Sequence, residues 1–103
     1  MNRSDLLAEI SAFQPRDGDW RPFDDLLGKL WSAGVTDECL PVLFGVFERY
    51  PDEDGFGVLW SVVHGIESLP LDYGQALRDS ILRKASFMGR VVLDRLERAN
   101  APG

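Results

Sequence analysis

The sequence predicts an all-α fold of about six helices in antiparallel pairs. Apolar residues recur at spacings of three and four along most of the chain, and the alternation typical of strands is absent. Short segments rich in proline, glycine and aspartate interrupt this pattern, as helix connections do. Because 103 residues with 45% hydrophobic composition can form one core, we expect residues 1–103 to be a single helical domain.

The first two helices are predicted over residues 4–14 and 23–33. Ser4 and Asp5 are candidates for the N-terminal cap of the first helix, since their side chains can accept from free backbone N–H groups. The segment 15–22, PRDGDWRP, separates the two helices because proline and glycine favour turns.

The third helix is predicted from about residue 37 to residue 50, with Thr36 as its N-terminal cap. Its apolar positions cover more than half of the circumference, so we expect it in the middle of the domain. Cys39 lies among these positions and is expected to be a core residue. Since it is the only cysteine, an intramolecular disulfide is excluded.

Three further helices are predicted in the C-terminal half. They cover residues 57–69, residues 74–85, and a last segment that Ser86 caps. The terminal NAPG, residues 100–103, has the composition of a frayed tail. Two architectures remain open: stacked helical hairpins in a HEAT-like helical-repeat array, or a compact helical bundle.

The charge distribution separates an acidic half from a near-neutral half. Residues 1–54 hold 12 acids and 5 bases, whereas residues 55–103 hold 5 acids and 6 bases. An acidic surface argues against direct binding to nucleic acid or to an anionic membrane, and it favours a basic protein partner. Neither a secretory signal nor an apolar run of about 18 residues is visible, so we expect a cytoplasmic protein.

The predicted fourth helix carries aromatic and polar residues opposite its apolar arc. Trp60, His64 and Glu67 follow one another at spacings of four and three, which places them on one ridge. Either another element covers Trp60, or the ridge anchors a protein interface. His64 and Glu67 supply at most two metal ligands and have no nucleophile motif beside them, so we expect no metal, no cofactor and no catalysis.

Acidic residues near this ridge and in the first loop extend the candidate partner-binding surface. Carboxylates attract a basic partner, and exposed tryptophans supply the desolvated anchors that tight binding requires. Beyond the ridge, the candidate residues are Asp52, Glu53, Asp54, Asp17, Asp19, Trp20, Asp24 and Asp25.

Roughly residues 49–98 resemble a known group of proteins. The segment RYPDEDGFGVLWSVVHGIESLP, followed after a short spacer by ILRKASFMGRVVLDRL, is similar to small all-helical immunity proteins of bacterial polymorphic-toxin and contact-dependent inhibition systems. In that group a tyrosine, proline, acid, acid, glycine turn leads into a helix with tryptophan, serine, histidine and glycine. The resemblance implies a cytoplasmic protein without catalytic activity that binds a cognate toxin domain, such as a nuclease, and blocks its active site.

Three alternatives remain open at this stage. A helical-repeat scaffold or adaptor would bind a cellular protein without a toxin partner. A small enzyme or metal-binding domain would place His64 in a pocket with a titratable group from another helix. An exposed Trp60 ridge could also pair with its own copy in a homodimer.

Overall fold

The computed structural model describes residues 2–100, and six α-helices account for most of this range. They are α1 Arg3–Ala12, α2 Arg21–Ala33, α3 Cys39–Arg49, α4 Val58–Glu67, α5 Gly74–Arg83 and α6 Phe87–Asn100, with a 3₁₀ turn Gly55–Gly57 before α4. The all-α prediction is confirmed for the described residues. Of the predicted tail, Asn100 belongs to α6 and residues 101–103 lie outside the described residues. Within residues 2–100, no helix has the length and apolar character needed to cross a membrane.

The first two helices and the last two helices pack as antiparallel pairs, as predicted. The Arg3 guanidinium at the start of α1 donates to the Gly34 carbonyl at the end of α2, at 3.2 Å. At the other end of the molecule, α5 and α6 pack against each other and are joined by only three residues, which forces them to run in opposite directions.

The six helices form two rows. In one row α3 packs between α1 and α5, and in the other α4 packs between α2 and α6. The rows have the order expected of stacked hairpins, while an additional contact of α3 with α6 closes them into a bundle of 41 × 27 × 22 Å. The structure therefore combines features of both predicted architectures.

The apolar core lies between the rows, with α3 at its centre as predicted. Six residues of α3 are buried: Cys39, Leu40, Leu43, Phe44, Val46 and Phe47. The helix begins at Cys39, two residues after its predicted start. The reason is a preceding turn, in which the Thr36 carbonyl accepts from the Cys39 N–H at 2.9 Å and the Thr36 hydroxyl lies 3.8 Å from Cys39 Sγ instead of capping the helix.

The starts of α6 and α1 show which residues cap these two helices. The Ser86 hydroxyl oxygen accepts from the Gly89 N–H at 2.9 Å, which confirms Ser86 as the cap of α6. The prediction for α1 is wrong, because the Asn2 side chain accepts from the Asp5 N–H at 2.8 Å and caps the helix in place of Ser4 or Asp5. Asparagine is as good a cap as serine or aspartate, so the earlier position prevails.

Candidate partner-binding surface

Aromatic side chains join the loop before α2 to the turn after α3. The Trp20 ring packs edge-on against Tyr50, with centroids 5.2 Å apart, and lies 5.6 Å from the ring of Phe13. The Tyr50 hydroxyl donates to the Phe13 carbonyl at 3.2 Å. Gly55 has a positive φ of 62°, and a Cβ there would lie 3.1 Å from Trp20 Cδ2, so a glycine is required beneath the indole. These contacts hold the two segments side by side.

Trp20 is a core residue, and its prediction as an exposed anchor of the partner-binding surface is wrong. Only 3% of its surface is exposed, because the loop folds over the ends of the helices and places the indole against Tyr50 and Phe23. Burying so large an apolar ring is favourable wherever the chain can reach the core. Its role is to bring together two acidic segments that are distant in sequence.

Seven carboxylates lie on the segments that Trp20 joins, and we call them the acidic loop surface. They are Asp17, Asp19, Asp24, Asp25, Asp52, Glu53 and Asp54. All except the half-buried Asp19 are exposed. The same segments contain two bases, Arg16 and Arg21, and Arg21 binds both carboxylate oxygens of Asp19 at 2.9 and 3.0 Å. The surface therefore has a strong negative charge.

The conformation of the first loop fixes the position of Asp17 and Asp19. Asp17 and Gly18 have φ values of 52° and 75°, as the centre of a type I′ turn requires, and the Asp19 N–H donates to the Arg16 carbonyl at 2.9 Å. Hydrogen bonds from the side chain and backbone of Arg21 lower the pKa of the Asp19 carboxyl. Asp19 therefore stays ionised, with Arg21 balancing part of its charge.

The predicted ridge on α4 is only partly exposed. Trp60 packs partly against the core, and its ring centroid lies 6.0 Å from that of His64. The side chain of His64 is 66% exposed. The sequence left open whether Trp60 is covered by another element or exposed as an interface anchor. The structure shows a mixture of both, because one part of the indole is covered and another part remains accessible beside His64.

Glu67 is bound by Arg95, a contact that the sequence did not predict. Both carboxylate oxygens of Glu67 accept from the Arg95 guanidinium, at 2.7 and 2.8 Å. His64 Nδ1 lies 3.9 Å from one of these oxygens. The hydrogen bond from Arg95 is the main cause that lowers the pKa of Glu67. Since Arg95 neutralises its charge, Glu67 attracts a basic partner less strongly than the acidic loop surface does.

Replacement of Arg95 with methionine is expected to raise the pKa of Glu67 towards its ordinary value of 4.5. The lowered pKa means that ionised Glu67 stabilises the native protein above pH 4.5, and that this stability is lost as the pH falls through the native pKa. The variant should therefore lose less stability on acidification. NMR titration of the Glu67 carboxyl carbon measures the pKa directly, and urea denaturation at several pH values measures the stability.

The matched control is Arg98→Met. Arg98 lies one turn further along α6 and pairs with Asp94 at 2.9 Å, so its removal should leave the Glu67 pKa unchanged. Equal titration of Glu67 in wild-type protein and the Arg95 variant would contradict the bidentate pair.

Two exposed apolar side chains were missed by the sequence analysis. Leu82 at the end of α5 is 86% exposed, and Phe87 at the start of α6 is 53% exposed. Met88 and Val92 occupy the buried face of α6, and Phe87 lies outside it. Phe87 and Val91 have the same spacing of four as Met88 and Val92, so the sequence alone did not place Phe87 outside the core.

Within residues 2–100, no group of three or more histidine, cysteine, aspartate or glutamate side chains is arranged to hold a metal ion. Among the grooves of the described surface, one runs between α2 and α4 and is lined by Asp24, Leu27, Gly28, Trp31, Ser61 and Gly65. Asp24 of the acidic loop surface therefore lines the same groove as Ser61 and Gly65 of α4. No family model, curated protein or solved structure matches the chain.

Proposed function

We propose that this protein is a bacterial immunity protein that binds a cognate toxin domain and neutralises it through the acidic loop surface. The observation that carries this proposal is that two acidic segments lie side by side: Trp20, in the first segment, packs against Tyr50 and Gly55 on either side of Asp52, Glu53 and Asp54, and seven carboxylates lie on the two segments. A toxin that cleaves nucleic acid needs a basic cleft for phosphate groups. A surface of carboxylates complements such a cleft in charge.

Charge and anchoring have different roles in this proposal. The carboxylates speed the encounter with a basic toxin domain, and this effect weakens as salt rises. Retention of the toxin depends on a few desolvated contacts near the centre of the interface. Trp60 is the candidate for this role, because it lies in the first turn of α4, directly after the acidic turn, with the exposed His64 beside it.

The proposed mechanism requires no catalysis by the immunity protein. A cytoplasmic complex in which the acidic loop surface occupies the toxin's cleft excludes the substrate, because the same basic groups cannot bind carboxylates and phosphates at once. The protection then depends on the affinity of the complex and on the concentrations of the two proteins.

Charge reversal on the acidic loop surface is expected to abolish protection. A double variant, Asp24→Lys with Asp52→Lys, places two cations against the basic cleft and should weaken toxin binding by at least about tenfold, mainly through slower association. The assay is growth of a heterologous bacterium that expresses the toxin domain encoded immediately upstream, with and without each form of this protein. Stopped-flow association at two salt concentrations measures the rate.

The matched control carries the same change of charge elsewhere, at Glu9→Lys on α1 with Asp79→Lys on α5. Both control residues are exposed and lie outside the acidic loop surface. Full protection by the control and none by the first variant, with both folded by circular dichroism, supports the proposal. Protection by the variant with Asp24→Lys and Asp52→Lys would contradict the proposal. A lack of protection by both the wild-type protein and the control would contradict it as well.

A helical-repeat scaffold or adaptor without a toxin partner is the second candidate. The two rows of stacked helices favour it, since repeat proteins present such rows to their binding partners. This candidate predicts that the same charge reversal abolishes binding to a basic cellular protein, and that no toxin gene lies beside the gene of this protein. The genomic neighbourhood therefore distinguishes the two candidates.

A further inference from the structure

We propose that two copies of this chain associate through the exposed face of α5 and α6, which leaves the acidic loop surface free. Leu82 and Phe87 are the exposed large hydrophobic residues among the side chains that the structure describes. Leu82 lines one groove and Phe87 lines a second, and Leu93 and Glu97 line both grooves. Leu82 and Phe87 thus belong to one continuous surface, which we call the α5–α6 face.

The charge of the molecule indicates that a second copy covers this face. Residues 1–54 hold 12 acids and 5 bases and carry a net charge of −7, so two copies that approach through that half repel each other. Residues 55–103 carry 5 acids and 6 bases, and this half can approach its own copy without that penalty. Apolar side chains as exposed as Leu82 and Phe87 favour association when repulsion is small.

The α5–α6 face also carries charges of both signs that lack a partner within the chain. Arg78, Arg90 and Glu97 form no ion pair with any of the described residues. Asp94, between Arg90 and Glu97, is paired with Arg98 at 2.9 Å. A face with free charges of both signs complements a copy of itself, whereas a strongly basic or acidic partner would meet like charge.

An antiparallel packing of α6 on its copy satisfies these charges. Arg90 and Glu97 lie one turn to either side of the Leu93 and Asp94 positions, on the same stripe of the helix. A two-fold axis through the middle of that stripe brings Arg90 of each chain to Glu97 of the other chain. The contact forms twice, as an isologous interface requires, and Leu82 and Phe87 at its border add apolar area.

Sedimentation equilibrium of the full chain over a wide concentration range tests this proposal. The wild-type chain is expected to dimerise, and Leu82→Glu is expected to be monomeric while keeping its fold, since the side chain is exposed. Arg90→Glu and Glu97→Arg should each raise the dimer Kd by at least about tenfold. The double variant, Arg90→Glu with Glu97→Arg, reverses both charges and should recover most of the wild-type affinity.

The control is Lys29→Glu, which makes the same change of charge as Arg90→Glu but on the exposed side of α2, and it should leave the dimer intact. A wild-type chain that stays monomeric at every concentration would overturn the proposal, as would a dimer that Leu82→Glu leaves unchanged. No recovery in the double variant would overturn the antiparallel packing. Leu82→Glu should still protect cells against the toxin, and loss of protection would instead assign the α5–α6 face to toxin binding. The sedimentation result does not depend on the immunity proposal, so the two proposals can fail separately.

Discussion

Replacement of Trp20 with alanine is expected to lower the free energy of unfolding by about 3–5 kcal/mol. The indole is 3% exposed and its ring contacts include Phe13, Phe23 and Tyr50, so truncation leaves a cavity that the surrounding rings cannot fill. A domain of this size has a total stability of roughly 5–15 kcal/mol, so a large part of it would be lost. Urea denaturation followed by far-ultraviolet circular dichroism measures the change.

The matched control is Trp60→Ala, which removes the same side chain from a partly exposed site and should cost less than about 2 kcal/mol. The two variants should also differ in the growth assay. Trp60→Ala tests the proposed contact with a toxin domain in a folded protein, whereas Trp20→Ala should lose protection only to the extent that it unfolds. Equal losses of stability in both variants would contradict the burial of Trp20.

The helices could be predicted from the sequence because the signals that define each helix lie within or next to it. Apolar spacing, a capping residue such as Ser86 and the proline and glycine segments act within a few residues of one another. The differences at the starts of α1 and α3 have the same origin. Asn2 and Ser4 are alternative caps of similar quality, and the turn that Thr36 closes competes with a further turn of helix.

The candidate site was harder to predict, because its contacts depend on which helices are neighbours. Periodicity gives the apolar side of α4, but it does not show that Glu67 meets Arg95, which is 28 residues away. Trp20 lies in a loop, where no periodicity indicates burial. For Phe87, two stripes of α6 were compatible with the sequence, and packing selected the one that contains Met88.

The uneven charge of the sequence corresponds to two different parts of the described structure. The segments that carry the carboxylates of residues 17–25 and 52–54 lie side by side because the rings of Phe13, Trp20 and Tyr50 pack together. The near-neutral half supplies α5 and α6, on which the exposed Leu82 and Phe87 lie. The proposed toxin-binding surface and the proposed dimer interface therefore lie on different halves of the chain.

Replacement of Gly65 with alanine is expected to destabilise the protein by about 1–3 kcal/mol, although alanine is the better helix former. A Cβ on Gly65 would lie 2.6 Å from Trp31 Cε2, so the indole that packs between α2 and α4 would have to move. Trp31 Nε1 is buried and has no hydrogen-bond partner among the described residues, which means that the ring is held by packing alone. Displacement of the ring should therefore change its environment, and ¹⁹F NMR of protein labelled with 5-fluorotryptophan should show a shifted Trp31 resonance.

Gly28→Ala on α2 is the matched control, and its expected effect has the opposite sign. Nothing lies within 4 Å of a Cβ at Gly28, so the substitution should stabilise the protein by about 0.5–1 kcal/mol through the lower entropy of the unfolded chain and the better helix propensity of alanine. The opposite signs separate close packing from helix propensity, because both variants make the same change inside a helix. Stabilisation by both substitutions would contradict the packing of Trp31 on Gly65, and with it the close approach of α2 and α4 that forms the groove beside Asp24.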